Sequence, residues 1–172
     1  MSIGSINQNY FEGVMFNKMA IGIIAACVSI NVVASQIPPE NVLLERFEAA
    51  GIAKKDAWSE RVGEQKARTV NINSLVFSIY DDSFGAVIIN EGSLKKERIE
   101  AGMLICLSMP TIALNGLSSD KKKKALNIIK YAYLKPGEES SDVIDGLVFN
   151  VKLSSIDKYS LLSCSVESFE PW

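Results

Sequence analysis

Leu147-Val148-Phe149-Asn150-Val151-Lys152-Leu153, followed beyond Ser154 to Lys158 by Leu161-Leu162-Ser163-Cys164-Ser165-Val166, is the stretch whose reading decides the fold. Leu147, Phe149, Val151 and Leu153 alternate with Val148, Asn150 and Lys152, and Leu162, Cys164 and Val166 alternate with Leu161, Ser163 and Ser165. Successive strand side chains point to opposite faces, so a period of two predicts a β-hairpin with one apolar face. That face needs a covering layer.

The upstream chain repeats the pattern and supplies the cover. Leu75, Phe77 and Ile79 alternate with Val76, Ser78 and Tyr80, Asp81 to Gly85 makes a turn, and Ala86-Val87-Ile88-Ile89 completes a second hairpin. Between the hairpins, Ser93 is placed to cap a helix running to about Met109, with Ile99, Met103, Cys106 and Leu107 on one face and Pro110 just past its end. Ser118 or Ser119, with Asp120, opens another helix whose stripe is Ala125, Ile128, Ile129 and Ala132, stopped by Pro136-Gly137. Ahead of the first hairpin, Val42, Leu43, Phe47 and Ala50 recur at helical spacing after Pro38-Pro39, with Gly51 as a left-handed stop. The charged residues 53–67 read as a short helix or ordered loop carrying Trp58 inward, one turn from Val62. The expected fold class is α+β: a two-layer domain of about four antiparallel strands in two hairpins packed against three to four helices, in the order α-ββ-αα-ββ. Phe77, Ile79, Ile88, Leu107, Ile128, Leu147, Phe149, Val151 and Leu162 are the expected shared core.

Residues 36–172 carry no Gly/Ser or Pro linker and no repeat, and 172 residues suit a single domain able to bury a core without metal or several disulfides. Residues 1–35 differ in character. Met19 to Ala34 is almost wholly apolar and uncharged behind Lys18, falls short of the roughly 20 apolar residues of a spanning helix, and leads to Val32-Val33-Ala34-Ser35-Gln36. It reads as a signal-peptide-like segment cut after Ala34 or Ser35, and a start at Met15 would give a compact leader beginning Met15-Phe16-Asn17-Lys18. The expected address is periplasmic or secreted, with the membrane met only transiently. Ile24-Ala25-Ala26-Cys27 matches a lipobox and offers lipid anchoring at Cys27 as one alternative; a cytoplasmic chain that keeps this helix is the other.

The cysteines follow from that address. Cleavage removes Cys27 and leaves Cys106 on the apolar side of its helix and Cys164 on the apolar side of the last strand, both aimed into the space between layers. A disulfide between them is expected in an oxidising compartment.

Chemistry is bounded mostly by exclusion. The chain has no His, which removes Ser-His-Asp and Cys-His catalysis and His-ligated metals. A net charge of −2 provides no basic field for nucleic acid. Phosphate-loop, dinucleotide, nucleophile-elbow, CxxC and EF-hand spacings are missing, so no catalytic, cofactor or metal residues are assigned. Glu138, Glu139, Asp142 and Asp145 form the densest acidic group and, with Asp81 and Asp82, are the one set to consider for a hard cation, against the simpler reading of a solvated acidic loop. Lys121, Lys122, Lys123 and Lys124 are consecutive, so on a helix they fan out by about 100° each; they are candidate partner contacts only as electrostatic bait. Trp172 in the tail Phe169-Glu170-Pro171-Trp172 is a candidate aromatic anchor.

The expected function is that of a small exported bacterial-type protein that binds another protein, as an inhibitor, immunity or accessory factor. Two alternatives belong to other classes. One is a hydrolase working with carboxylates alone, drawn from Glu91, Glu138, Glu139 and Asp142; the other is a cytosolic helper docking through its apolar N-terminal helix.

Overall fold

Asp145 and Gly146 both take positive φ, 55° and 79°, which makes the tight two-residue turn that matches strand twist. This turn joins β4 (Glu139–Ile144) to β5 (Leu147–Ile156), and a second turn at Asp157-Lys158 joins β5 to β6 (Tyr159–Ser168). The architecture described here is that of a computed structural model, which describes residues 36–61, 67–92 and 96–169. The first half of the sheet is a matching meander, β1 (Arg68–Ile72), β2 (Leu75–Ile79) and β3 (Ser83–Glu91). β3 and β6 pair antiparallel at the centre, giving a six-stranded sheet of order β1-β2-β3-β6-β5-β4.

Three α-helices complete the domain: α1 (Glu40–Ala49), α2 (Lys96–Leu114) and α3 (Ser119–Leu134), with a 3-10 turn at Lys55–Ala57. The α+β class and the antiparallel sheet match the reading of the sequence. Its detail is corrected: six strands replace four, and the order is α-βββ-αα-βββ. The two additional strands, β1 and β4, are the sheet edges, and polar residues break the apolar alternation of their inward positions: Arg68 before Val70 and Ile72, and Ser140 and Asp142 before Ile144.

The inward positions of the central strands are sealed. Phe84, Ala86 and Ile88 of β3, Phe149 and Val151 of β5, and Leu162, Cys164 and Val166 of β6 are all at most 5% exposed. Cys106 and Met109 of α2, and Ala125, Ile128, Ile129 and Ala132 of α3, belong to the same core. Of the nine residues expected to share it, eight are buried, and Leu107 packs against the cluster partly buried. The buried face of α2 instead runs through Gly102, Cys106, Met109 and Ala113. α1 closes the β1–β3 end by inserting Phe47, whose ring meets Trp58, Phe77 and Phe84 edge-on at centroid distances of 5.0, 5.8 and 5.9 Å. Trp58 thus points inward as expected.

Pro110 does not end α2; it lies buried inside the helix. A proline there removes one backbone N–H donor. α2 continues because its true end is held from outside: Arg46 of α1 donates to the carbonyls of Ile112 and Ala113 at 2.7 and 2.6 Å, where a helix gathers partial negative charge. The chain then leaves through Asn115 and Gly116, both with positive φ.

Candidate functional site

The cysteine pair sits where the two layers meet. Cys106 and Cys164 have Cα atoms 5.5 Å apart with their sulfurs at disulfide distance, joining α2 to the central strand β6 across 58 residues of sequence. Cys27, Trp172 and the apolar segment 19–34 lie outside the described residues.

The lysine run is dispersed, as helical geometry requires. Lys121 pairs with Asp145 at 2.8 Å, and Lys124 pairs with Asp142 at 3.0 Å while donating to the Val143 carbonyl at 2.8 Å. Lys123 faces Asp120 at 3.9 Å within its own helix. Two of the four cations therefore fasten α3 to the β4 edge and its turn.

Contacts of this kind occupy most of the carboxylates considered for catalysis or for a hard cation. The hydrogen bond from Lys124 holds Asp142 below the usual carboxylate range, so it is ionised near neutral pH and has no proton to give. Glu138 accepts from Tyr131, Glu91 accepts from Lys158, and Asp81 pairs with Arg61. Glu91 lies at the end of central β3 and Glu139 at the start of edge β4, separated by β6 and β5. Among the described residues no three cysteine or carboxylate side chains converge on a metal-sized position.

The feature that the sequence reading missed is the other side of the sheet. α1, α2 and α3 share one face: Phe47 meets Phe77, Cys106 meets Cys164 on the same cross-strand row, and Lys124 of α3 reaches Asp142, the cross-strand partner of inward Phe149, while Ile128 and Ile129 join the same core. On the opposite face, Val76 sits beside Val87, Ile89 beside Leu161, and Ile156 beside Tyr159. Val87, Ile89, Tyr159 and Ile156 are 36, 37, 38 and 57% exposed. They form a continuous apolar area at one end of the open face, because residues two apart on a strand and cross-strand partners are neighbours.

The other end of this face is small and polar. Ser78, Gly85, Ser165, Asn150 and Ser141 stand in one cross-strand row. A shallow hollow of about 140 Å³ opens over Gly85, lined also by Val76, Val87 and Ser163. A second of similar volume lies beside it among Asn150, Lys152 and Glu167. Gly85 sets this relief: a Cβ there would collide with the Cys164 carbonyl and come within 3.0 Å of Ser165 Cα. The signal was present in Ala86-Val87-Ile88-Ile89 and Leu161-Leu162, runs apolar on both faces of a strand, which mark strands covered on both sides.

No family model, curated protein or solved structure matches the chain.

Proposed function

We propose that the protein is exported and acts by binding another protein through the open face of its sheet, as an inhibitor, immunity or accessory factor would. The observation that carries this reading is the apolar area of Val76, Val87, Ile89, Leu161, Ile156 and Tyr159 on a face that no described helix covers. Contiguous exposed apolar surface is uncommon on soluble monomers and characteristic of interaction sites. Placement on rigid central strands favours a preformed contact over one that must be ordered first. The cysteine pair suits an oxidising compartment, which supports the export half of the reading.

Site-specific photo-crosslinking tests it. A photoreactive residue at Val87 or Ile89, introduced into the full chain in producing cells, is expected to yield one discrete adduct, while the same residue at Lys130 on α3 yields none. Equal labelling from both faces, or no adduct from the sheet, would remove the open face as the binding surface.

A further inference from the structure

A cleft of about 530 Å³ lies between the first turns of α2 and the end of the sheet, a volume in the ordinary range of small-ligand sites. Leu75 and Ile88 form its apolar wall on the sheet side, and Ala101 and Ile105 face them from α2. Asn90 follows Ile88 on the same inward face, lines the cleft and is 9% exposed. No described residue hydrogen-bonds its carboxamide, which is open to solvent rather than sealed in the core. A carboxamide that opens into a cleft offers a guest its N–H donors and its carbonyl acceptor without first breaking a bond to the protein.

The mouth of the cleft identifies the guest. Arg98 lines it and donates Nη1 to the backbone carbonyl of Glu91 at 2.9 Å. That bond anchors the guanidinium beside the residue next to Asn90 and leaves further N–H donors of the fork. The Glu91 carboxylate is held by Lys158, so the three charges at the mouth leave one positive charge in excess.

We propose that this cleft binds an apolar group ending in a carboxylate, its body between Ile88 and Ile105 and its oxygens accepting from Arg98 and the Asn90 amide. Guanidinium–carboxylate bonds are charge-assisted and directional, and the apolar walls suit a hydrocarbon or an apolar side chain. The same chemistry is offered by a free aliphatic acid and by the C-terminal carboxyl of an apolar peptide. Ile89 and Tyr159 of the open apolar area also line this cleft, whereas Arg98 and Asn90, which the test addresses, take no part in the open-face reading.

The test is calorimetric titration of the full chain with four probes: decanoate, decanol, the peptide Gly-Val-Leu-Phe as the free acid, and its C-terminal amide. At least one acid is expected to bind saturably at one site, about tenfold or more tighter than its neutral counterpart. Decanoate alone binding identifies the free acid as the source, and the peptide acid alone identifies a chain end. The exposed Arg98→Gln is expected to erase the difference between acid and neutral probes without disturbing the fold. Asn90→Asp is expected to weaken the acid while sparing the neutral probe; should it fail to fold, Arg98→Gln decides. Equal binding of acid and neutral probes, survival of their difference in Arg98→Gln, or no acid binding up to millimolar concentration would overturn the proposal.

Discussion

Cys106 of α2 lies directly over Cys164 of β6, with Cα atoms 5.5 Å apart, so a helix and the central strand beneath it share one point of attachment. On the chain-entropy model, a bridge across 58 residues of sequence stabilises the fold by about 4 kcal/mol. Reducing the protein is therefore expected to lower its urea midpoint by a corresponding amount. Thiol labelling of the denatured, unreduced chain is expected to leave Cys106 and Cys164 unmodified. Labelling of both would show that no bridge forms in the cell.

Gly85 is the place where β3 and β6 approach too closely for a side chain. Gly85→Val is expected to destabilise the protein by roughly 1–3 kcal/mol, because the backbone of β6 has no side-chain rotamer with which to yield. Val87→Thr, two residues along the same face, is expected to change stability by less than about 0.5 kcal/mol. Equal denaturation midpoints for the two variants would contradict the close pairing at the sheet centre.

Phe149 is 1% exposed in the middle of β5, and Phe149→Ala is expected to cost roughly 3–5 kcal/mol by chemical denaturation. A cost below about 1 kcal/mol would place the wrong face of β5 in the core.

Burial pushes the Tyr133 phenol up to about 12, and its hydroxyl donates to the Ile99 carbonyl at 3.3 Å. The folded state thus keeps a proton that the unfolded chain loses near pH ~10. Stability is expected to be unaffected by this group below that pH and to fall as pH rises from ~10 towards 12. Ultraviolet titration of the native protein should show one phenol ionising late, and Tyr133→Phe should remove it. A native curve that Tyr133→Phe leaves unchanged would contradict the burial of this hydroxyl.

Processing is expected after Ala34 or Ser35, since small residues there follow an uncharged apolar run. The intact mass of protein recovered from the cell envelope or medium reads this directly. Recovery with residues 19–34 attached would argue against soluble export.

What the sequence disclosed follows strand position. β2, β3, β5 and β6 each have a neighbour on both sides and a helix layer beneath, so their inward residues had to alternate, and Leu147 to Val166 showed it plainly. β4, Glu-Ser-Ser-Asp-Val-Ile, has the pattern of an acidic loop, because Asp142 is satisfied by Lys124 from another element, a contact that no local pattern announces. Pro110 misled for a related reason: the carbonyls at the end of α2 are held by Arg46, 66 residues earlier. The cysteine pair was legible since each residue lies on the inward side of its own element, whereas the cleft at Asn90 depends on where α2 starts over the sheet. The open apolar area required the strand order, because Ile89 and Leu161 become neighbours only through the pairing of the two meanders.

That central pairing also sets the timing of assembly. Ala86 and Cys164, cross-strand partners, are separated by 78 positions in the chain. β1, β2 and β3 can form a meander as soon as they emerge, but one edge of β3 then presents bare amides and carbonyls beside Val87 and Ile89 until β6 is synthesised. Long-range strand closure is slow, and an apolar strand with an open edge is a template for mispairing. Maturation is therefore expected to be limited by the arrival of β6, and nascent chains stalled before Tyr159 should aggregate or be held by chaperones while full-length chains do not.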